Sequence, residues 1–179
     1  MVLLPAVVET PRLTVRHWSE GDAVALSVAI TESLDHLRPW MAWISDEPLN
    51  LEERVSRIRR DREEWEQGGD SVFGVFRDGV VVGACGLHRR GAPDTIEIGY
   101  WIHVDHLRQG YATEVAQGLT DAAFEVPAIA QVEIRHDKAN AASARIPERL
   151  GFVKVEELVD EIAAPGEVGV EVVWANRRP

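Results

Sequence analysis

Cysteine is almost absent from this sequence of 179 residues, and long apolar runs are missing. The single cysteine, Cys85, excludes an internal disulfide, and its place in the apolar run 80–85 favours a small core residue over a nucleophile. No apolar run approaches the ~20 residues that span a bilayer, and residues 1–10 lack the basic segment that opens a signal peptide. These absences predict a soluble, cytoplasmic protein with no membrane partner.

Basic residues are also few. The 19 Lys and Arg residues are outnumbered by 30 Asp and Glu residues, which gives a net charge of -11. Because a negative protein repels polyanions, nucleic acid is not expected as a partner. The basic cluster at 57–60 is followed directly by acidic residues, which is typical of a solvated helix face. The negative charge either attracts cationic substrates or only maintains solubility, and both interpretations stay open.

The length and the 45% hydrophobic content suit one core, so residues 1–179 are expected to form a single domain. Alternating apolar residues predict strands at about 12–16, 72–76, 80–87, 95–104, 132–135, 152–159 and 168–175. Helical spacing, capping residues and glycine stops predict helices at about 19–30, 50–67, 110–124 and 141–150, with 34–48 as a loop or short broken helix. This order indicates an α/β domain with a mixed sheet.

One turn carries chemical information. The segment Asp105–Glu114 reads Asp-His-Leu-Arg-Gln-Gly-Tyr-Ala-Thr-Glu and lies between the end of a strand and the start of a helix. Its small residues let the main chain approach a ligand, and the free N–H groups and positive dipole of the helix face the same gap. Such a place binds phosphate. Taken alone, the turn is better explained as an ordinary strand–helix connection than as a phosphate site.

A second stretch changes that balance. Asn140-Ala141-Ala142-Ser143 opens a short helix that ends in Leu150-Gly151-Phe152, and Ile98-Gly99-Tyr100-Trp101 precedes the turn. In this order the motifs resemble those of the GNAT acetyltransferase superfamily. The opening strand Arg12–Arg16 makes the resemblance closest to the RimJ/RimL-like branch, the ribosomal-protein N-terminal acetyltransferases and their relatives. The resemblance extends from about Thr10 to Trp174.

The resemblance implies a GNAT fold, a central mixed, mostly antiparallel sheet of about six to seven strands flanked by about four helices, with a splayed cleft for acetyl-CoA. It implies acetyl-CoA as co-substrate, no metal, and direct acetyl transfer in a ternary complex to a primary amine. That amine belongs either to a protein N-terminus or to a small molecule. The alternative function is a non-catalytic acyl-CoA-binding sensor or interaction module. The chain is expected to be a monomer or a homodimer.

The resemblance also assigns roles to individual residues. The main chain of Ile102, His103 and Val104 is expected to pair with the pantetheine arm, and Asn140 is expected to hold its far side. Ser143 is also an expected cofactor-binding residue. The residues expected to wrap the pyrophosphate are Arg108, Gln109, Gly110, Tyr111, Ala112 and Thr113. Ser143 is also the usual acid of this branch for the departing thiolate. Trp40 and Trp43 are expected to wall the acceptor pocket.

Proton transfer needs further groups, because an amine attacks a thioester only when it is neutral. Glu97, on the strand before Gly99, is the candidate base, acting directly or through a water, and its alternative is a solvated strand carboxylate. A main-chain N–H near Ile102 or His103 is the candidate donor to the oxyanion. His136 with Asp137 is either a proton relay or a structural pair.

Two positions depart from the family pattern. Leu107 stands where the family usually has Gln or Arg, and Arg108 is the expected substitute. Pro147 lies inside the helix that carries Ser143 and removes an N–H, so we expect a kink that re-aims the serine.

Overall fold

The structure is a computed structural model that describes residues 3–178. The strands are β1 Val7–Glu9, β2 Thr14–His17, β3 Ser71–Arg77, β4 Val80–His88, β5 Thr95–Ile102, β6 Gln131–Asp137, β7 Val153–Val159 and β8 Val170–Arg177. The helices are α1 Ala23–Leu37, α2 Leu51–Glu66, α3 Tyr111–Glu125 and α4 Ala141–Arg149. The strands form one sheet in the order β1-β2-β3-β4-β5-β6-β8-β7. Its neighbouring strands are antiparallel except for the parallel pair β5–β6.

The helices cover both faces of this sheet. On one face α3 packs through Tyr111, Val115 and Leu119 into a core that also holds the inward residues of β2 to β6. On the other face α1 and α2 pack around a second core that includes Ile30 and Ile58. The sheet is therefore buried on both faces along its middle strands, whereas the edge strand β7 is largely exposed. In the part of the chain that the structure describes, no helix is long and apolar enough to cross a membrane.

The predicted α/β fold is confirmed, and several local predictions are confirmed with it. Asp78 and Gly79 join β3 to β4 with φ angles of 51° and 81°, which is the left-handed pair that a tight hairpin requires. Asn50 caps α2, since its side chain accepts a hydrogen bond from the N–H of Glu53 at 3.0 Å. Short-range turn and cap chemistry is thus sufficient to place these two elements.

One strand was not predicted, and among the predicted elements α1 and β5 end at different residues. The strand β1 was not predicted, because Val8 is its only buried residue and the strand is too short to show a period of two. Helix α1 continues beyond Ile30 to Leu37, where Ser33 and Leu37 extend its buried face. The strand β5 ends at Ile102, since the main chain from Val104 turns into a single turn of 3₁₀ helix.

Candidate active site

A cleft opens inside the sheet where β5 and β6 separate. The two strands are paired from Thr95 with Gln131 to Ile98 with Ile134. Beyond these pairs β5 continues to Ile102 and stays bonded to β4, while β6 continues and stays bonded to β8. The two inner edges therefore diverge, and each presents main-chain polar groups to the gap between them.

The alternation of β5 decides which groups face this cleft. His103 donates its N–H to the carbonyl of Val82 at 2.9 Å, on the β4 side. Along a strand the main-chain groups of successive residues point alternately to its two edges, so those of Ile102 and Tyr100 point away from β4 and into the cleft. The prediction for Ile102 therefore agrees with the geometry, and Tyr100 is a cleft-facing residue that sequence reasoning missed, although its strand parity could have identified it.

The structure corrects the prediction for His103 and Val104. The carbonyl of His103 accepts a hydrogen bond from the N–H of His106 at 2.9 Å, so both of its main-chain groups are engaged within the protein. Val104 donates its N–H to the hydroxyl of Ser33 at 3.2 Å. Neither N–H is available to a pantetheine arm, and the candidate oxyanion donors become the N–H groups of Ile102 and Tyr100.

The turn before α3 contains two residues with a left-handed main chain. Gly110 is the N-cap of the helix with φ of 81°, and Arg108 also has a left-handed φ of 59°. Left-handed residues within such a turn direct successive N–H groups to one point, which is an anion-binding shape. Tyr111, Ala112 and Thr113 follow as the first turn of α3, where N–H groups lack partners within the helix. The predicted pyrophosphate site is therefore continuous along the chain from Arg108 to Thr113.

Arg12 holds this turn in place, and sequence reasoning did not assign it that role. Its guanidinium donates to the carbonyl of Gln109 at 3.0 Å and to the carboxylate of Glu114 at 2.6 Å. It also lies 4.8 Å from the centre of the Tyr111 ring. That ring is buried and its hydroxyl contacts Arg77, so Tyr111 offers a ligand its main chain only.

A cavity of about 500 Å³ lies on the α1–α2 side of the same cleft. It brings together predicted site residues from three separate segments, namely Trp40, Trp43, Glu97, Asn140 and Ser143. Tyr100 and His88, which were not predicted, also line it. The ring of Trp43 lies 6.4 Å from that of Trp101. Aromatic walls around a few convergent polar groups are typical of a pocket for a small organic group.

Glu97 is a half-buried carboxylate on the wall of this cavity. Its nearest charged partner is Arg135, whose Nε lies 3.8 Å from the carboxylate, while Arg135 also binds Glu133 and Glu171 at 2.8 Å each. Burial raises the pKa of Glu97, and the nearby charges of Arg90, His88 and Arg135 offset only part of that effect. A carboxylate with a raised pKa is a stronger base than a solvated one.

Ser143 and Tyr100 meet across the cleft. The Tyr100 hydroxyl lies 3.3 Å from the Ser143 hydroxyl, and burial raises the pKa of Tyr100 to about 12, so the phenol stays protonated. The N–H of Ser143 donates to the side chain of Asn140 at 3.1 Å. Helix α4 remains helical through Pro147 to Arg149, so the proline does not end it, and the cap at Asn140 holds the first turn.

His136 is held in a structural arrangement. Its Nδ1 lies 2.8 Å from the carbonyl of Asp137, and the indole N–H of Trp174 donates to its Nε2 at 2.9 Å. Nε2 is therefore already an occupied acceptor and Nδ1 the donor. The Asp137 carboxylate instead accepts main-chain N–H groups of the loop 168–170. This geometry favours the structural interpretation of the pair over the proton relay.

The burial of Glu97 has an expected effect on stability. Because its pKa is raised in the folded protein, folding is favoured below the pKa of the unfolded carboxyl, and that contribution is lost as the pH rises through the folded pKa. Glu97→Gln cannot ionise, so at neutral pH its melting temperature is expected to exceed that of the wild type by a few degrees, where about 1 kcal/mol corresponds to about 2–4 °C. Thermal unfolding at neutral pH and near pH 4 measures both values.

The matched control for this prediction is Glu156→Gln, which removes the same charge from an exposed residue of β7. This variant is expected to melt within about one degree of the wild type. A lower melting temperature for Glu97→Gln at neutral pH would show that ionised Glu97 stabilises the fold. An advantage that persists near pH 4 would show that the gain does not come from removal of the charge.

The fold and site together define a class of protein. The helix N-terminus of α3, the diverging edge of β5 and the cavity beside it have the shape expected for an extended ligand with a phosphate group at one end. The chain belongs to the acetyltransferase (GNAT) domain family, whose model matches residues 12–153. It is accordingly an acetyltransferase, with acetyl-CoA as its co-substrate.

Individual relatives agree with this membership. The chain is 26% identical over 156 residues to YdaF of Bacillus subtilis (strain 168), which is provisionally named a ribosomal N-acetyltransferase, and the match covers 86% of this chain and 85% of YdaF. Its fold matches that of RimL, a ribosomal L7/L12 alpha-N-protein acetyltransferase solved in complex with coenzyme A, with a TM-score of 0.85, 17% identity and 98% of each chain covered. It also matches the microcin C7 self-immunity acetyltransferase MccE, solved with acetyl-CoA and AMP, with a TM-score of 0.88, 18% identity and 98% of each chain covered.

Proposed function

We propose that this acetyltransferase transfers the acetyl group directly from acetyl-CoA to a primary amine while both substrates are bound. The observation that carries this proposal is the continuity of the cleft. The turn at Arg108 to Thr113 lies at one end of β5, and the cavity with Glu97 lies where β5 and β6 diverge. An arm laid along the free edge of β5 would bring its thioester to that cavity.

The residues of the cavity then have separate roles. Glu97 takes up a proton from the acceptor amine, directly or through a water. The N–H of Ile102 or Tyr100 donates to the oxyanion as the C–N bond forms. The C–S bond breaks and the sulfur leaves, protonated by Ser143, whose hydroxyl is 3.3 Å from that of Tyr100. A thiolate is a good leaving group, since thiols have a pKa near 8.5.

Direct transfer is favoured over an acetyl-enzyme by the state of Cys85. It is the single cysteine of the chain, its side chain is buried in the sheet, and burial raises the pKa of its thiol far above the ordinary value. A buried, protonated thiol cannot attack a thioester. The amine nitrogen is then the nucleophile.

The acceptor is an α-amine of a protein or the amine of a small molecule. The names of RimL and YdaF point to ribosomal proteins, whereas MccE is named as a self-immunity enzyme.

Leu107 stands where the family usually has Gln or Arg. Its side chain packs against the core, so it leaves the main chain of the turn open to the pyrophosphate. A sensor that binds acetyl-CoA without turnover is the competing function.

The test is acetyl-CoA-dependent thiol release by the purified protein with N-terminal peptides, aminoglycosides, polyamines and amino acids as acceptors. Mass spectrometry of the product identifies the acetylated amine, and calorimetric titration of acetyl-CoA measures binding separately. Turnover with one class of amine would support the proposal. Tight binding without turnover by any acceptor would favour the sensor, and absence of binding would contradict the pyrophosphate site.

Trp43 is expected to affect the acceptor and not acetyl-CoA. Trp43→Ala removes part of the cavity wall and is expected to raise KM for the amine by about tenfold, which corresponds to about 1.4 kcal/mol of lost contact. Trp43→Phe keeps an aromatic wall and serves as the control. Initial rates with each substrate varied separate the two KM values. A selective rise in KM for acetyl-CoA would show that Trp43 contacts acetyl-CoA and not the acceptor amine.

A further inference from the structure

A second acid–base group lies on the wall of the same cavity. His88 ends β4, and its Nδ1 is 2.7 Å from a carboxylate oxygen of Asp70, which immediately precedes β3. The other oxygen of Asp70 accepts the main-chain N–H of Arg89 at 2.8 Å. Both carboxylate oxygens are therefore engaged, and the imidazole, with 18% of its side chain exposed, has one fixed orientation.

This contact determines the tautomer of His88. Burial would raise the pKa of Asp70, but the hydrogen bonds from His88 and Arg89 outweigh it and the pKa lies below its ordinary value. An ionised carboxylate can only accept, so Nδ1 must carry the hydrogen. In a neutral imidazole the other nitrogen, Nε2, then has a free lone pair, as in other carboxylate–histidine pairs.

Two glycines make room for Nε2 on the cavity wall. A Cβ at Gly86 would lie 2.5 Å from Nε2, and a Cβ at Gly99 would lie 3.3 Å from it. The ring thus rests on the face of the sheet where β4 and β5 lack side chains. Glu97 is the direct partner of His88 in the β4–β5 register, so both side chains stand on this face and both line the cavity.

We propose that His88, oriented by Asp70, is a second proton acceptor in the acetyl transfer, beside Glu97. This inference rests on the proposed function. An amine that arrives as an ammonium ion must lose two protons before it becomes an amide. Glu97 takes the first and leaves the neutral amine. Nε2 of His88 takes the second as the C–N bond forms and the C–S bond breaks. One of these two protons then replaces, through water, the proton that Ser143 gave to the sulfur, and the other is released to water.

The variant His88→Asn tests this role. Asparagine can still donate to Asp70 but has no basic nitrogen, so kcat is expected to fall by about 10- to 100-fold, with KM for the amine and the Kd for acetyl-CoA changed by less than about twofold. His36→Asn, in the last turn of α1, is the matched control and is expected to retain wild-type kcat. Asp70→Asn is expected to lower kcat less, because Asp70 only positions the ring.

Two readouts separate catalysis from structure. Of the charged groups around this site, Asp70 contacts His88 directly, and Arg90, Arg135 and Glu171 act together with His88 on the carboxylate of Glu97. The kcat/KM profile of the wild type is expected to show two ionisations on its acid side, and His88→Asn is expected to lose one of them. Nitrogen-15 NMR of the histidines is expected to show His88 with its hydrogen on Nδ1, and to show loss of that tautomer in Asp70→Asn.

The outcomes are distinguishable. Wild-type transfer with unchanged kcat and pH profile in His88→Asn would overturn the role of His88 alone. A hydrogen on Nε2 in the neutral wild-type protein would also overturn it, whatever the activity. A wild-type protein that acetylates no amine would overturn the proposed function, and the role of His88 with it.

Discussion

Gly110→Asp is expected to weaken acetyl-CoA binding by about 100-fold or more, whereas Gly110→Asn is expected to weaken it by less than about fivefold. Both residues tolerate the left-handed φ of 81° at this position and have nearly the same shape. Only aspartate places a negative charge at the N-terminus of α3, where the pyrophosphate is expected. Calorimetric titration of acetyl-CoA into each variant measures the difference.

The two variants also separate binding from folding. An aspartate at the N-cap stabilises a helix, because its negative charge lies at the positive end of the helix dipole. The guanidinium of Arg12 lies about 3.4 Å from the position of a Cβ at residue 110 and would also be close to the new carboxylate. Gly110→Asp is therefore expected to melt no lower than Gly110→Asn, even though it binds acetyl-CoA far more weakly. Equal Kd values for the two variants would show that the diphosphate lies elsewhere.

Glu97→Gln is expected to lower kcat by about 100-fold near neutral pH with no change in the Kd for acetyl-CoA. The loss should shrink as the pH rises, because the amine then becomes neutral without help, from about pH 8 for an α-amine and about pH 10 for a lysine-like amine. The pH dependence of the deficit thus reports the kind of acceptor. Rates of thiol release measured across this pH range provide the data.

The control for this second variant is Glu133→Gln. Glu133 binds the same guanidinium of Arg135 at 2.8 Å, and loss of either carboxylate removes one partner of that arginine. If both variants lost activity equally, the loss would be explained by a displaced Arg135 and not by the loss of a base at Glu97. Unchanged activity of Glu97→Gln between about pH 6 and 9 would exclude Glu97 as the base.

Local sequence signals were sufficient for much of the fold. The Asp78-Gly79 hairpin, the cap at Asn50 and the glycine before α3 each depend on neighbouring residues, and each is found where it was predicted. The predicted end of α1 at Ile30 was too early. Leu34 and Leu37 lie among turn-forming residues, and only the tertiary fold decides that these two leucines pack against the core.

The site was harder to predict, because its contacts join residues that are distant in sequence. The parity of β5 relative to β4 decided that Ile102 faces the cleft and that His103 does not. The contact between Asp70 and His88 exists because the β3–β4 hairpin returns the chain to the same end of the sheet. Motifs therefore located the cleft, while the register of the strands determined which groups line it.

The measurement that tests the central claim most directly is a two-substrate kinetic study of thiol release, with acetyl-CoA and the accepted amine both varied, together with the mass of the protein after incubation with acetyl-CoA alone. Direct transfer within a ternary complex predicts reciprocal plots that intersect and a protein that remains unmodified. Parallel plots with a protein that carries the acetyl group would contradict it and would require a covalent intermediate.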